Sequence, residues 1–241
     1  MSDRPLIGIT KPTRGDNFAF LCICAAVWLA GGSPLRITAE QPRLKRNIDG
    51  LILGGGSDVF PGLYAFKPKR GYRYDRARDE MEIAWARRAR EAKIPVLGIC
   101  RGAQLMNVIN DGTLHLEVGE AYEDVDYPST LLGHIFYRKF IAIAPGSHLE
   151  TAIGNGEAFV NSMHKQAIDQ VGEGLVVTAR EKNGVVQAIE NPARRYYLGV
   201  QFHPEFLIHR ARFRGIFRQF VEAARSMPPM EGGPSPSAVG A

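Results

Sequence analysis

Val96-Leu97-Gly98-Ile99-Cys100-Arg101-Gly102-Ala103-Gln104-Leu105-Met106-Asn107 is the stretch on which the reading of this chain turns. Residues 95–99 read as a short buried strand, and a helix starts at once after the Gly98-Ile99-Cys100-Arg101-Gly102 turn. Glycines on both sides let the backbone turn sharply and leave no side chain to crowd the thiol. The same strand–turn–helix geometry, with Ser in place of Cys, is the nucleophile elbow of hydrolases. A helix N-terminus behind the sulfur favours thiolate over thiol, and the neighbouring Arg101 is expected to add to that. A lone cysteine is usually a small buried hydrophobe. The flanking glycines set Cys100 apart from that case.

A cysteine nucleophile needs a base, and the base needs an orienting group. Tyr197-Leu198-Gly199-Val200-Gln201-Phe202-His203-Pro204-Glu205 reads as a strand that delivers His203 at its end. Pro204 stops the ladder, and Glu205 follows in a position to hold the other imidazole nitrogen. His-Pro-Glu alone also fits a surface turn. It gains meaning from the elbow upstream at a second strand end.

With these residues in place the chain resembles the class I glutamine amidotransferase superfamily, whose triad is Cys-His-Glu. It is most similar to the free-standing gamma-glutamyl hydrolase branch, which includes gamma-glutamyl-gamma-aminobutyrate hydrolase. The resemblance covers roughly residues 5–225 and rests on five ordered blocks. They are Leu51-Ile52-Leu53-Gly54-Gly55-Gly56-Ser57-Asp58-Val59-Phe60-Pro61, Arg78-Asp79-Glu80-Met81-Glu82, the elbow, Val160-Asn161-Ser162-Met163-His164-Lys165-Gln166-Ala167, and the stretch from Gly199 to Glu205.

The resemblance implies Cys100 as nucleophile, His203 as general base and acid, and Glu205 as its orienter. It implies an oxyanion hole from the backbone N–H groups of Gly56 and Arg101. Gln104, one helical turn past the nucleophile, would bind the glutamyl moiety, and Asn161, Ser162 and His164 would form the substrate-side block. No metal and no organic cofactor is required. Gly54 stands where the family commonly has proline, Phe60 where these hydrolases often have an acidic residue, and Lys165 where many have a second histidine. These departures fall in loops that bear on the leaving group. Asp58, Tyr64, His115 and Lys165 are weaker candidates for choosing it, and His134, His148 and His209 have no persuasive partner in the sequence.

Composition narrows the classes. With 241 residues and 45% hydrophobic content, the chain fits one α/β domain with a sizeable core. The net charge of +5 comes from dispersed arginines. The densest group, Arg210, Arg212, Arg214 and Arg218, lies on an amphipathic helix whose apolar members are Phe213, Ile216, Phe217, Phe220 and Val221. We read the arginines as its solvated face, with no nucleic-acid motif beside them. The 3 cysteines form no disulfide framework, which points to a reducing cytoplasm. Cys22 and Cys24 lack a second pair to make a zinc site and are read as core. The apolar run over residues 18–30 is too short to span a membrane. It reads as a buried helix, extended at most by a subunit contact that would make a homodimer.

Strands are expected near residues 6–10, 34–38 and 48–53, and helices near 17–30 and 75–93. The alternation predicts an α/β fold: a flavodoxin-like, doubly wound, mostly parallel sheet with a nucleophile elbow. A β-rich C-terminal portion is expected from 122–144, 175–181 and 185–190, with Lys182-Asn183-Gly184 as a hairpin turn. Residues 1–227 form the catalytic domain, and the Pro-, Gly- and Ser-rich tail over 228–241 is read as disordered.

The expected activity is therefore hydrolysis of a gamma-glutamyl amide through a gamma-glutamyl thioester, on a gamma-glutamyl-gamma-aminobutyrate-like or polyamine-type small molecule. The alternative is a glutaminase subunit that supplies ammonia to a separate synthase partner. A third reading, a binding protein without turnover, has no use for Cys100, His203 and Glu205 together.

Overall fold

Short, continuously apolar strands, buried on both faces and separated by helices, set the architecture. In the computed structural model, which describes residues 4–70, 72–123, 125, 138–154, 156–162 and 164–226, β1 (Leu6–Thr10), β2 (Ser33–Ile37), β3 (Gly50–Leu53) and β4 (Val96–Ile99) come first. They alternate with α1 (Asn17–Leu29), α2 (Arg76–Glu91) and α3 (Arg101–Val108). The short β5 (Leu114–His115) and α4 (Val118–Ala121) follow, then β6 (Lys139–Ile143), α5 (His148–Ile153), β7 (Glu157–Val160) and β8 (Ala167–Ile168). The chain closes with β9 (Val176–Glu181), β10 (Val186–Glu190), β11 (Tyr197–Val200) and α6 (Ala211–Arg225).

The main sheet runs β2-β1-β3-β4-β11-β10-β9-β6-β7. Its first five strands are parallel, and the rest pair antiparallel beyond β11. β5 and β8 form a separate two-stranded sheet. The expected doubly wound order is thus present, and the β-rich C-terminal portion extends one edge of it.

Strand side chains alternate between two cores. Ile7, Ile9, Ile52, Leu97, Ile99, Leu198 and Val200 pack with residues of α1, α5 and α6, including Val27, Leu149, Phe213 and Phe217. Leu51, Leu53, Val96, Ile189 and Tyr197 pack with Trp85 of α2 and with Leu105 and Met106 of α3. Helices therefore cover both faces, and the carboxyl ends of β1, β3, β4 and β11 are left to carry a site.

The apolar helix α1 departs from expectation. It buries a stripe of Ile23, Ala26 and Val27, while Phe18, Leu21, Trp28 and Leu29 stay exposed. Cys22 and Cys24 flank that stripe and are only half-buried, because a single helix packed against a sheet hides one face. Among the described residues no helix is long and apolar enough to cross a membrane. The tail over 228–241 and the part of the expected β-rich stretch over 126–137, with His134, lie outside the described residues.

Candidate active site

Cys100 occupies the turn between β4 and α3 with φ +51° and ψ −106°, a conformation that L side chains rarely adopt. Its N–H donates to Val200 O at 2.8 Å, and its carbonyl accepts from Gln104 N at 3.2 Å. The flanking glycines have a sharper role than leaving space for the thiol. A Cβ at Gly102 would lie 2.0 Å from Leu53 O, and one at Gly98 would lie 2.4 Å from Met106 Sδ. Both glycines let α3 press directly onto the sheet, which fixes the elbow in its strained form.

β11 ends at Val200, three residues short of the expected strand end at His203, and His203 immediately precedes the turn Pro204–Phe206. Its Nδ1 lies 2.8 Å from Glu205 Oε1, and Glu205 is buried. The imidazole also shares a hydrogen bond with the Cys100 sulfur. Burial works against the imidazolium, but the facing Glu205 carboxylate and Cys100 outweigh it and hold His203 well above its ordinary pKa. Phe206 stacks on the imidazole with centroids 5.4 Å apart, and the exposed Phe18 stacks on Phe206 at 5.7 Å. The three residues expected to act together are brought together.

Gly54 to Gly56 follow β3 and wrap the same corner. It is Gly55 that faces the reacting groups: a Cβ there would meet His203 Cε1 at 3.0 Å and Cys100 Cβ at 3.8 Å. Gly56, expected as an oxyanion donor, has φ +141°, and a Cβ there would run into Arg78 Nη1 at 2.3 Å. Three consecutive glycines read alike in sequence, and only the backbone path separates them. The Arg101 side chain likewise departs from expectation. Its guanidinium points away from the thiol and is held by Asp79 and Glu82, all three buried. Only its backbone N–H remains for the site.

The expected substrate residues form a polar layer around this corner. Gln104 Nε2 donates to Gln166 O at 2.7 Å and to Gln201 Oε1 at 3.2 Å. Asn161 accepts the His203 N–H at its Oδ1 (3.3 Å). Ser162 Oγ accepts from Gln187 Nε2 at 2.8 Å. Gln104, Asn161 and Ser162 are buried, and their polar atoms bond to neighbouring groups of the protein: Gln166 and Gln201, the His203 N–H, and Gln187. His164 is partly exposed, with Nδ1 2.7 Å from Gln166 O. Burial, against the help of that hydrogen bond, pushes its pKa down to about 4, so it is neutral at physiological pH.

Sequence reasoning missed Gln201. Its Nε2 donates to Cys100 Sγ at 3.6 Å while its Oε1 accepts from Gln104. The available signal was its place two residues before His203, immediately after the end of β11. Of the weaker candidates, Tyr64 is buried, with its hydroxyl accepting from Gln166 Nε2 at 2.9 Å. His115 sits 3.3 Å from Asp169. Lys165 is exposed over the Tyr72 ring at 4.9 Å, and burial raises the pKa of Asp58 despite that lysine's charge.

Residues 5–205 match the Peptidase C26 family. The chain belongs to the Peptidase C26 family. Among its relatives is the protein named "Putative glutamine amidotransferase Rv2859c" of Mycobacterium tuberculosis, 38% identical over 187 residues, 74% of this chain. The chain spans only 56% of that relative's length. Gamma-glutamyl-gamma-aminobutyrate hydrolase PuuD of Escherichia coli is 30% identical, with 83% of this chain and 84% of PuuD covered. Solved structures share the Peptidase C26 chain's fold. A protein described as a GMP synthase component from Thermoplasma acidophilum gives a TM-score of 0.67 at 16% identity, covering 92% of this chain and 94% of its own. The glutaminase domain of Trypanosoma brucei CTPS, with bound acivicin, gives 0.63 at 15% identity, covering 94% of this chain and 95% of its own.

Proposed function

We propose that this protein is a cysteine-dependent hydrolase that cleaves a gamma-glutamyl amide and releases glutamate and an amine. One observation carries the reading: the imidazole of His203 bridges the strained-elbow thiol of Cys100 and the buried carboxylate of Glu205. Family membership and the relative named as a gamma-glutamyl-gamma-aminobutyrate hydrolase support the substrate class.

In this reading the Cys100 sulfur attacks the gamma-carbonyl carbon, and the carbonyl electron pair moves onto oxygen. We assign the oxyanion to the backbone N–H groups of Arg101 and of Gly55, the latter in place of the expected Gly56 because it is Gly55 that lies against His203 and Cys100. The C–N bond then breaks, and the proton on His203 goes to the leaving amine. A gamma-glutamyl thioester on Cys100 remains. His203, now neutral, takes a proton from water, whose oxygen attacks the thioester. The C–S bond breaks and glutamate leaves, with the proton returned to the Cys100–His203 pair. Glu205 keeps the imidazole in the tautomer and orientation that both half-reactions need.

A second reading, a glutaminase that hands ammonia to a synthase, is favoured by one feature. The exposed Phe18 is stacked through Phe206 onto His203, so an apolar surface borders the site. Glutamate release separates the readings. The panel is glutamine, gamma-glutamyl-gamma-aminobutyrate, a gamma-glutamyl polyamine and gamma-glutamyl methylamide, with Cys100→Ser as the blank. Efficient cleavage of a substituted amide with poor use of glutamine is expected. Activity on glutamine alone, or only with an added synthase, would transfer the assignment to the second reading.

A further inference from the structure

The Arg78-Asp79-Glu80-Met81-Glu82 block lies at the start of α2, and its polar partners include Thr10, the Gly54 carbonyl, Phe60 and Arg101. Three of its four charged members, Arg78, Asp79 and Glu82, are nonetheless buried, together with Arg101, while Glu80 is exposed. Burying four ionisable groups is costly unless each is paired. The pairing has a pattern. Glu82 Oε1 accepts from Arg78 Nε at 2.8 Å and from the Thr10 hydroxyl at 2.5 Å. Its other oxygen accepts from Arg101, whose remaining terminal nitrogen is held by Asp79.

Each of those partners grips one side of the oxyanion corner. Arg78 Nη2 donates to Gly54 O at 2.8 Å, and Thr10 Oγ1 accepts the Gly54 N–H at 3.2 Å. The Gly54 carbonyl and the Gly55 N–H belong to one peptide unit. A guanidinium on the carbonyl oxygen fixes that peptide's orientation and strengthens the dipole it presents at its N–H end. Arg101, the second proposed donor, is clamped by the same Glu82. Asp79 adds a third tie, because its second oxygen accepts the Phe60 N–H at 3.3 Å further along the glycine loop.

We infer that Glu82 is a positioning residue that locks the two oxyanion-donor peptides into one rigid unit: Gly54–Gly55 through Arg78, with Thr10 fixing the adjoining Leu53–Gly54 peptide, and Cys100–Arg101 through the Arg101 guanidinium. The inference rests on the proposed reading only in that Cys100 forms an acyl intermediate. The donors come from loops after two different strands, and their separation must match the geometry of a tetrahedral oxyanion. One buried carboxylate with an oxygen for each loop sets that separation.

The test compares two reactions of the same thiol in the full-length protein. Acylation of Cys100 by p-nitrophenyl acetate passes through an oxyanion; alkylation by iodoacetamide, which displaces iodide at a saturated carbon, does not. Cys100→Ser supplies the blank for Cys22 and Cys24. Glu82→Gln and Thr10→Val are each expected to slow acylation by about 10²-fold and to leave alkylation unchanged, and Thr10→Ser is expected to restore acylation. Thr10→Val keeps side-chain shape and all four charges, so it reports even if Glu82→Gln does not fold. Equal loss in both reactions would mean a merely structural cluster and would overturn the inference. So would unchanged acylation in Thr10→Val, or a wild-type protein with no Cys100-dependent nitrophenolate burst. Wild-type acylation by the ester without glutamate release from any gamma-glutamyl amide would instead sink the substrate reading and leave this one standing.

Discussion

The Nδ1 of His203 lies 2.8 Å from Oε1 of Glu205, and the second oxygen of Glu205 is buried with no hydrogen-bond partner among the described residues. The carboxylate is thus dedicated to the imidazole. Burial lowers the His203 pKa, but the Glu205 charge and the neighbouring Cys100 outweigh it and hold that pKa well above 6.5. Glu205→Gln keeps the shape and removes the charge. We expect kcat to fall by roughly 10²–10⁴-fold, with the alkaline limb of the rate profile moving to lower pH as His203 loses its proton earlier. A pH–rate profile of both proteins checks this, and an unmoved limb would exclude Glu205 as the source of the shift.

The same raised value affects stability. A histidine whose pKa is higher in the folded state stabilises the fold fully below its unfolded value near 6.5 and loses that contribution as pH rises through the folded value. The stability gap between wild type and His203→Asn should therefore narrow on going from pH 6 to alkaline solution. Urea titrations across that range measure it; a constant or widening gap would contradict the pairing.

His164 predicts the opposite trend. Its pKa is pushed down to about 4, so the unfolded chain binds a proton that the folded chain refuses between about 6.5 and 4. Acidification through that window should cost at most about 3 kcal/mol, less whatever its partial exposure screens. His164→Gln should flatten that part of the stability curve. Equal acid sensitivity in the variant would remove His164 from the account.

Cys100 holds a strained backbone at φ +51°, so glycine should suit the position better than alanine. Cys100→Gly is expected to be more stable than Cys100→Ala by roughly 0.5–2 kcal/mol, relief of strain exceeding the entropy cost of glycine. Both variants should be inactive. Thermal melts decide the order, and a more stable alanine variant would argue against strain at the elbow.

Gln201 donates to the Cys100 sulfur at 3.6 Å. Gln201→Met removes that donor while filling the space. Iodoacetamide alkylation of Cys100 at neutral pH should slow roughly tenfold, as expected for loss of a hydrogen bond to a charged group. An unchanged rate would make Gln201 a spacer for Gln104 alone.

Much of this was legible in the chain because local and global signals agree. Short apolar strands bounded by glycine or proline gave β1, β3 and β4 within two residues at each end, and β11 with its start at Tyr197 but its end three residues too late. The elbow was legible because its glycines are demanded by close approach to Leu53 and Met106, and close approach leaves a mark in sequence. What escaped depends on direction within a loop or across space. Nothing in Gly54-Gly55-Gly56 says which glycine faces His203. Nothing in the position of Arg101 beside Cys100 says that its guanidinium turns back to Glu82 and Asp79, 19 and 22 residues upstream. The apolarity of α1 predicted burial, yet Phe18, Leu21, Trp28 and Leu29 are exposed, because the sheet can cover only one face of that helix.

The central claim is that Cys100 carries the gamma-glutamyl group. The most direct measurement is acid quench during turnover of a gamma-glutamyl amide, followed by digestion and mass spectrometry of the peptide that contains Cys100. The account predicts a hydroxylamine-sensitive gamma-glutamyl adduct on that peptide in the wild type and its absence in Cys100→Ser. Turnover with no adduct at Cys100, or glutamate release by Cys100→Ser at the wild-type rate, would contradict it.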